Sequence, residues 1–129
     1  MTQAVDTVVH VTLPWPDRQL SPNARGHWSV LARARKRAKA QAMLQAYEVG
    51  LDALAVDLAR SGGTGTIAVE LQFHPPDRRE RDDDNLVASC KAMLDGIASV
   101  MGVNDSRFRI AHSRHDPYPG GMVKVIVRW

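Results

Sequence analysis

The sequence predicts an α/β two-layer sandwich, a mixed or antiparallel β-sheet with helices packed on one side. Three observations predict it. Apolar residues alternate with period two around residues 7–13, 66–74 and 122–129, the mark of strands with one buried face. Two stretches, 29–49 and 85–101, carry helix-forming residues and apolar positions at helical spacing. The order is strand, long helix, strand, helix, strand, strand, which suits one helix layer on one sheet. At 129 residues, one domain spanning 1–129 is expected.

The elements follow in order. Thr7–Leu13 turns Val9, Val11 and Leu13 to one side, and Pro14 and Pro16 end the strand. The segment to His27, with Pro22, Asn23 and Gly26, is an ordered loop. Ser29 is the expected N-cap of a helix that runs to about Val49 and stops at Gly50. Its expected apolar stripe is Trp28, Leu31, Ala40, Met43, Leu44 and Tyr47, opposite a basic surface. Leu51–Arg60 continues as a short second helix, and Ser61, Gly62, Gly63 and Gly65 make a flexible turn.

Thr66–His74 points Ile67, Val69, Leu71 and Phe73 one way, and Pro75 and Pro76 stop it. A helix from Asn85 to Met101 shows Leu86, Cys90, Met93, Leu94, Ile97 and Met101 to the core. Cys90, the single cysteine, reads as a small buried hydrophobe. Gly102, Asn104 and Asp105 form a turn before a strand at Arg107–Arg114, with Phe108, Ile110 and His112 on one face. Met122–Trp129 is the last strand, expected to pair with the preceding one as a hairpin across roughly seven residues.

Composition narrows the function class. Hydrophobic residues make up 44% and charged residues 24%, which excludes a disordered chain. One cysteine excludes an internal disulfide and fits a reducing, cytoplasmic setting. Met1–Val11 lacks a basic leader region and no stretch is apolar enough to span a bilayer, so neither secretion nor a membrane partner is expected. The net charge of +3 leans only mildly towards polyanions. Its distribution says more. No acid occurs from Arg18 to Tyr47, a stretch holding Arg33, Arg35, Lys36, Arg37 and Lys39, whereas Asp77–Asp84 is crowded with acids. Either a phosphate-binding surface lies beside a metal site, or both are solvated surface.

Asp82, Asp83 and Asp84 carry the strongest chemical signal. Carboxylates this close repel one another, and a divalent cation removes that cost. Mg²⁺ or Mn²⁺ takes such oxygen ligands. In an extended segment Asp82 and Asp84 face the same way, leaving Asp83 to cap the helix; helix capping by these acids without metal is the alternative. Along the helix Asp84, Ala88, Lys91 and Asp95 recur about once per turn, and Lys91 and Asp95 form an i,i+4 pair. A lysine there can hold a phosphate or protonate a leaving oxygen; a surface ion pair is the dull alternative. Asp105 follows this helix as a third carboxylate. Three acids and a lysine are the inventory of a phosphodiesterase site.

Taken together, Leu13-Pro14-Trp15-Pro16, Ser21-Pro22-Asn23, His27-Trp28, Pro75-Pro76-Asp77-Arg78-Arg79, Arg81-Asp82-Asp83-Asp84-Asn85-Leu86, Lys91, Asp95-Gly96-Ile97 and Val103-Asn104-Asp105 resemble the RusA-like Holliday junction endodeoxyribonucleases. The resemblance implies a homodimer that binds four-way DNA junctions and cuts symmetrically opposed strands with Mg²⁺ or Mn²⁺. It implies Asp82, Asp84 and Asp105 as metal ligands, Lys91 as the catalytic lysine and Asp95 as the helix acid. The chain departs from the family at one point. The family's lysine falls at the position of Ala88, and here the lysine comes three residues later, with the four-residue interval to Asp95 kept.

Cationic residues around these acids suit DNA contact. Arg78, Arg79 and Arg81 flank them as phosphate clamps, with neutralisation of the acids as the alternative. Arg33, Lys36, Arg37 and Lys39 on the first helix suit a backbone track, and His27 a further phosphate contact. Trp15 reads as packing inside the domain, with base stacking as the alternative. Three rivals stand beside the resolvase reading: a non-catalytic DNA-binding dimer, a nuclease for flaps or forks, and a subunit of a larger phage or repair assembly.

Overall fold

A computed structural model describes residues 7–61 and 65–129. Within them β1 (Val8–Pro14) leads, through a 3-10 turn at Arg18–Leu20, to the long helix α1 (Trp28–Glu48). The short helices α2 (Leu51–Leu54) and α3 (Val56–Ser61) follow, then β2 (Ile67–His74), α4 (Asp83–Ser89), α5 (Lys91–Met101), β3 (Phe108–Arg114) and β4 (Met122–Arg128). Most of the turn expected at 61–65 lies outside the described residues.

The alternation predicted for β1, β2 and β4 is present and makes the core, whereas β3 is exposed along most of its length and buries no alternating face. The four-stranded sheet has the order β1-β4-β2-β3. Residues Leu13, Val123 and Phe73 lie side by side in one row, and Val11, Val125 and Leu71 in the next. All six are buried, together with Val9, Val127, Ile67 and Val69, beneath α1 and α5. The opposite face carries His10, Thr12, Glu70, Gln72, Lys124 and Arg128, so the sheet is covered on one side, as a two-layer α/β fold requires.

The last two strands are not a hairpin. β3 pairs with β2 in parallel, and β4 pairs with β2 and β1 antiparallel, so β2 separates them. Residues 115–121 cross the end of β2 instead, where His115 N–H donates to the Phe73 carbonyl at 2.9 Å and Tyr118 N–H to the Pro75 carbonyl at 2.9 Å. The crossing closes on Gly121, whose φ is +76° and at which a Cβ would lie 2.8 Å from Trp15 Cβ. Only glycine meets both demands. β3 is left as an edge strand with Ile110 and His112 exposed.

Expectations for two helices are corrected. The N-cap of α1 is His27, not Ser29: His27 Nδ1 accepts from Ser29 N–H at 3.2 Å. The buried stripe of α1 is Ala34, Ala42 and Ala46, with Ala38 half-buried, whereas Trp28, Ala40, Leu44 and Tyr47 are exposed. Small residues win because α1 lies very close to α5. A Cβ on Gly96 would meet the Lys39 carbonyl oxygen at 2.6 Å. Second, the helix expected at 85–101 starts at Asp83 and breaks at Cys90, where φ is −92° and ψ is 1°. Ser89 Oγ donates to the Asn85 carbonyl at 2.7 Å, and Cys90 N–H turns to the Val87 carbonyl at 3.0 Å. A hydroxyl bonding back one turn bends a helix in this way. The expected apolar stripe of this pair survives the break, with Leu86, Cys90, Met93, Leu94, Ile97 and Met101 all buried.

Candidate functional site

The turn between β2 and α4 is built by arginines. Arg81, whose side chain is 12% exposed, donates to the Asp77 and Arg79 carbonyls at 3.1 and 2.9 Å and to Asp77 Oδ1 at 2.8 Å. Its guanidinium lies 5.5 Å from the centre of the Trp15 ring, which itself packs edge-on against Phe73. The Arg79 backbone N–H, and then Arg81, hold the Asp77 carboxyl below its ordinary range. Arg81 thus braces the turn from within while also lining the hollow that holds Asp82. Arg114, at the end of β3, donates to Asp83 Oδ1 at 2.8 Å and to the Arg81 carbonyl. This clamp between distant segments has no signature in sequence spacing.

With the turn so held, Asp82 becomes the N-cap of α4. Its Oδ1 accepts from the Asp84 and Asn85 N–H groups at 2.9 and 3.2 Å. Sequence spacing favoured Asp83 for capping and an extended Asp82–Asp84 pair. The helix instead begins at Asp83, so Asp84 lies in its first turn and Asp83 is paired with Arg114. Among the described residues, Asp82 Oδ2 and the Asp84 carboxylate have no hydrogen-bond or ion-pair partner.

Lys91 opens α5, directly after the break at Cys90. Its Nζ donates to Asp95 Oδ1 at 2.8 Å and to Asp105 Oδ2 at 2.5 Å. Asp105, and then Asp95, raise the Lys91 ammonium above its ordinary pKa of 10.5. Lys91, and then Asp95, hold Asp105 below 3.8. The expected Lys91–Asp95 pair therefore forms, and the acid after the helix joins it. Asp105 meets Lys91 and Asp95 here. Among the described residues, no three His, Cys, Asp or Glu side chains gather in a way that could hold a metal ion.

These two centres share a groove. One hollow is lined by Asp82, Asn85, Ser89, Arg79 and Ser21. A second is lined by Ser89, Ala88, Lys91, Asp95 and, across from them, Arg35, Lys36 and Lys39. A third adds His27, Trp28, Leu31 and Ser21 beside Ala88, Lys91 and Arg35. Common walls at Ser21, Ala88, Ser89 and Lys91 join the three.

The remaining predicted DNA contacts divide. Lys36, Lys39 and His27 line the groove, and Arg79 does so while near Asp77 at 3.8 Å. Arg37 pairs loosely with Asp17 at 3.8 Å and borders a different, largely apolar hollow. Arg33 and Arg78 are exposed outside the groove. Arg35, within the basic run of α1, and Trp28, expected in the apolar stripe, also line the groove. Their signal was helical spacing: Trp28, Leu31, Arg35 and Lys39 follow at intervals of three, four and four along one side of α1.

No protein-family profile matches the chain. A protein of Xylella fastidiosa (strain Temecula1 / ATCC 700964), described only as an uncharacterized protein, is 40% identical over 98 residues, which is 76% of this chain. The match spans 61% of that relative's length. Among the described residues, no helix is long and apolar enough to cross a membrane.

Proposed function

We propose that this chain is a divalent-metal-dependent endodeoxyribonuclease of the RusA-like kind, acting on branched DNA and on four-way junctions above all. The observation that carries the reading is the groove, which joins a helix-capping acid, a doubly paired lysine and a row of exposed cations. Asp82 and Asp84 offer the oxygen donors that suit Mg²⁺ or Mn²⁺ with water completing the shell. An ion held by that pair would acidify a water and offset charge on the phosphoryl oxygens. The chain's own residues do the rest. Asp95 and Asp105 hold the Lys91 ammonium in place and favour its protonated form. Arg35, Lys36 and Lys39 hold backbone phosphates on the facing wall. A role for Asp105 as a third oxygen donor requires Lys91 to release it. Paired symmetric cuts require two copies of the site, hence a homodimer.

One observation favours a second reading, a DNA-binding protein that does not cut: Asp105 is engaged by Lys91 and no three-acid cluster stands among the described residues. A labelled synthetic four-way junction, incubated with Mg²⁺ or Mn²⁺ beside duplex of equal length, separates the two. Paired nicks in the junction, absent with chelator, are the expected result. Tight binding with no nick in either metal supports the second reading.

A further inference from the structure

The first turn of α1 leaves a large aromatic ring in solvent. Trp28 is 75% exposed, and among the described residues its ring contact is with His27, at 5.3 Å between centres. Tryptophan normally buries most of its surface, so this placement forgoes a large hydrophobic gain. What surrounds the ring mixes apolar and cationic side chains: Leu20, Pro22 and Leu31 share its hollow with Arg35 and Lys91. Leu31, Arg35 and Lys39 follow Trp28 on the same side of the helix, a row about 16 Å long. They face Ala88, Lys91 and Ala92 across hollows of about 490 and 520 Å³, the size of sites that enclose nucleotide-sized ligands. Arg35, Lys36 and Lys39 form no ion pair among the described residues, and the acid nearest them in the groove, Asp95, is already held by Lys91.

A free aromatic face followed by unpaired cations along a groove is the arrangement that binds single-stranded nucleic acid: bases stack and the phosphates behind them are neutralised. A base in duplex has both faces covered by its neighbours, so such a ring discriminates by pairing state. From this we infer that Trp28 is a stacking platform for an unpaired DNA base, and that Arg35 and Lys39 hold the phosphates next to it. The inference rests on the reading of the groove as a DNA site, but not on cleavage. It makes the groove selective for strands that have left the duplex, which a branch point supplies and a continuous helix does not. The cation row favours nucleic acid over a protein partner for the same ring.

The test uses the whole chain in chelator, so that nothing is cut. Fluorescence anisotropy measures binding of a labelled twelve-nucleotide oligothymidylate and of a duplex of equal length. Trp28→Ala should weaken oligothymidylate binding about tenfold or more. Duplex binding should change by no more than about twofold, since phosphate contacts dominate there. Trp28→Phe should restore most of the loss, because it keeps a stacking face. Equal binding of oligothymidylate by wild type and Trp28→Ala overturns the inference and leaves the ring to a protein contact. An equal loss on both DNAs, or no oligothymidylate binding by wild type, also overturns it. Junction cleavage is read separately. Trp28-dependent binding without any metal-dependent nick removes the nuclease reading and keeps the platform; normal nicking with Trp28-independent binding does the reverse.

Discussion

Lys91 has two carboxylate partners, and each alters how the cluster titrates. Asp105 is held below its ordinary 3.8 by Lys91 and then Asp95. A carboxyl depressed in the fold stabilises it at pH above its unfolded value, and that stabilisation is lost as pH falls through the folded value. The Lys91 ammonium is raised above 10.5 by Asp105 and then Asp95. Its contribution is complete below the unfolded value and is lost as pH rises through the folded one. Lys91 and its partners are largely exposed, so solvent screens the pair and the effect is small. Urea denaturation across pH should show wild type losing more stability below about pH 4 than Asp105→Asn does, with the two curves converging in strong acid. Parallel curves would mean that the pair contributes nothing in solution. Cys90 is quiet by contrast: burial pushes its thiol up to about 12, which leaves it a packing residue.

Elements were legible where one signal governed them. Period two located β1, β2 and β4 to within a residue or two, because a strand with one covered face must alternate. The stripe of α4 and α5 was legible for the same reason. The stripe of α1 was not, because hydrophobicity favours Leu44 and Tyr47 over alanine, whereas close helix approach favours Ala42 and Gly96. That contact is open to test. Gly96→Ala puts a methyl against the Lys39 carbonyl oxygen and Ala42 Cβ, and should destabilise by about 1–3 kcal/mol in urea titration. An unchanged midpoint would show that α1 can move away from α5 at no cost. The turn before α4 was half legible. Its acids stand out in the sequence, but the choice of Asp82 as cap depends on Arg81 under Trp15 and on Arg114 from an edge strand. The parallel pairing of β2 and β3 was hidden too, since a seven-residue link can turn back or cross one strand, and only the tertiary fit of Gly121 against Trp15 decides.

At the scale of the molecule, a net charge of +3 says little, and the arrangement of charge says more. The cations of α1 line one wall of the groove, while Asp83, Asp95 and Asp105 are paired within the fold and Asp82 caps α4. Binding to DNA should therefore weaken steeply with salt. Replacing Arg35 and Lys39 together by alanine should reduce the slope of log affinity against log salt by about 1.5 to 2, one phosphate contact each. Anisotropy titrations at several salt concentrations give the slope, and an unchanged slope would move the phosphate path off α1.

The central claim is that the acid capping α4 and the cationic groove form one cleaving site. Asp82→Asn tests it most directly, because asparagine caps a helix about as well as aspartate and so removes charge while keeping the turn. Junction binding in chelator and junction cleavage in Mg²⁺ are measured side by side for wild type and variant. The account predicts that wild type does both, and that the variant binds as well as wild type and makes no nicks. Cleavage by the variant at the wild-type rate would contradict it.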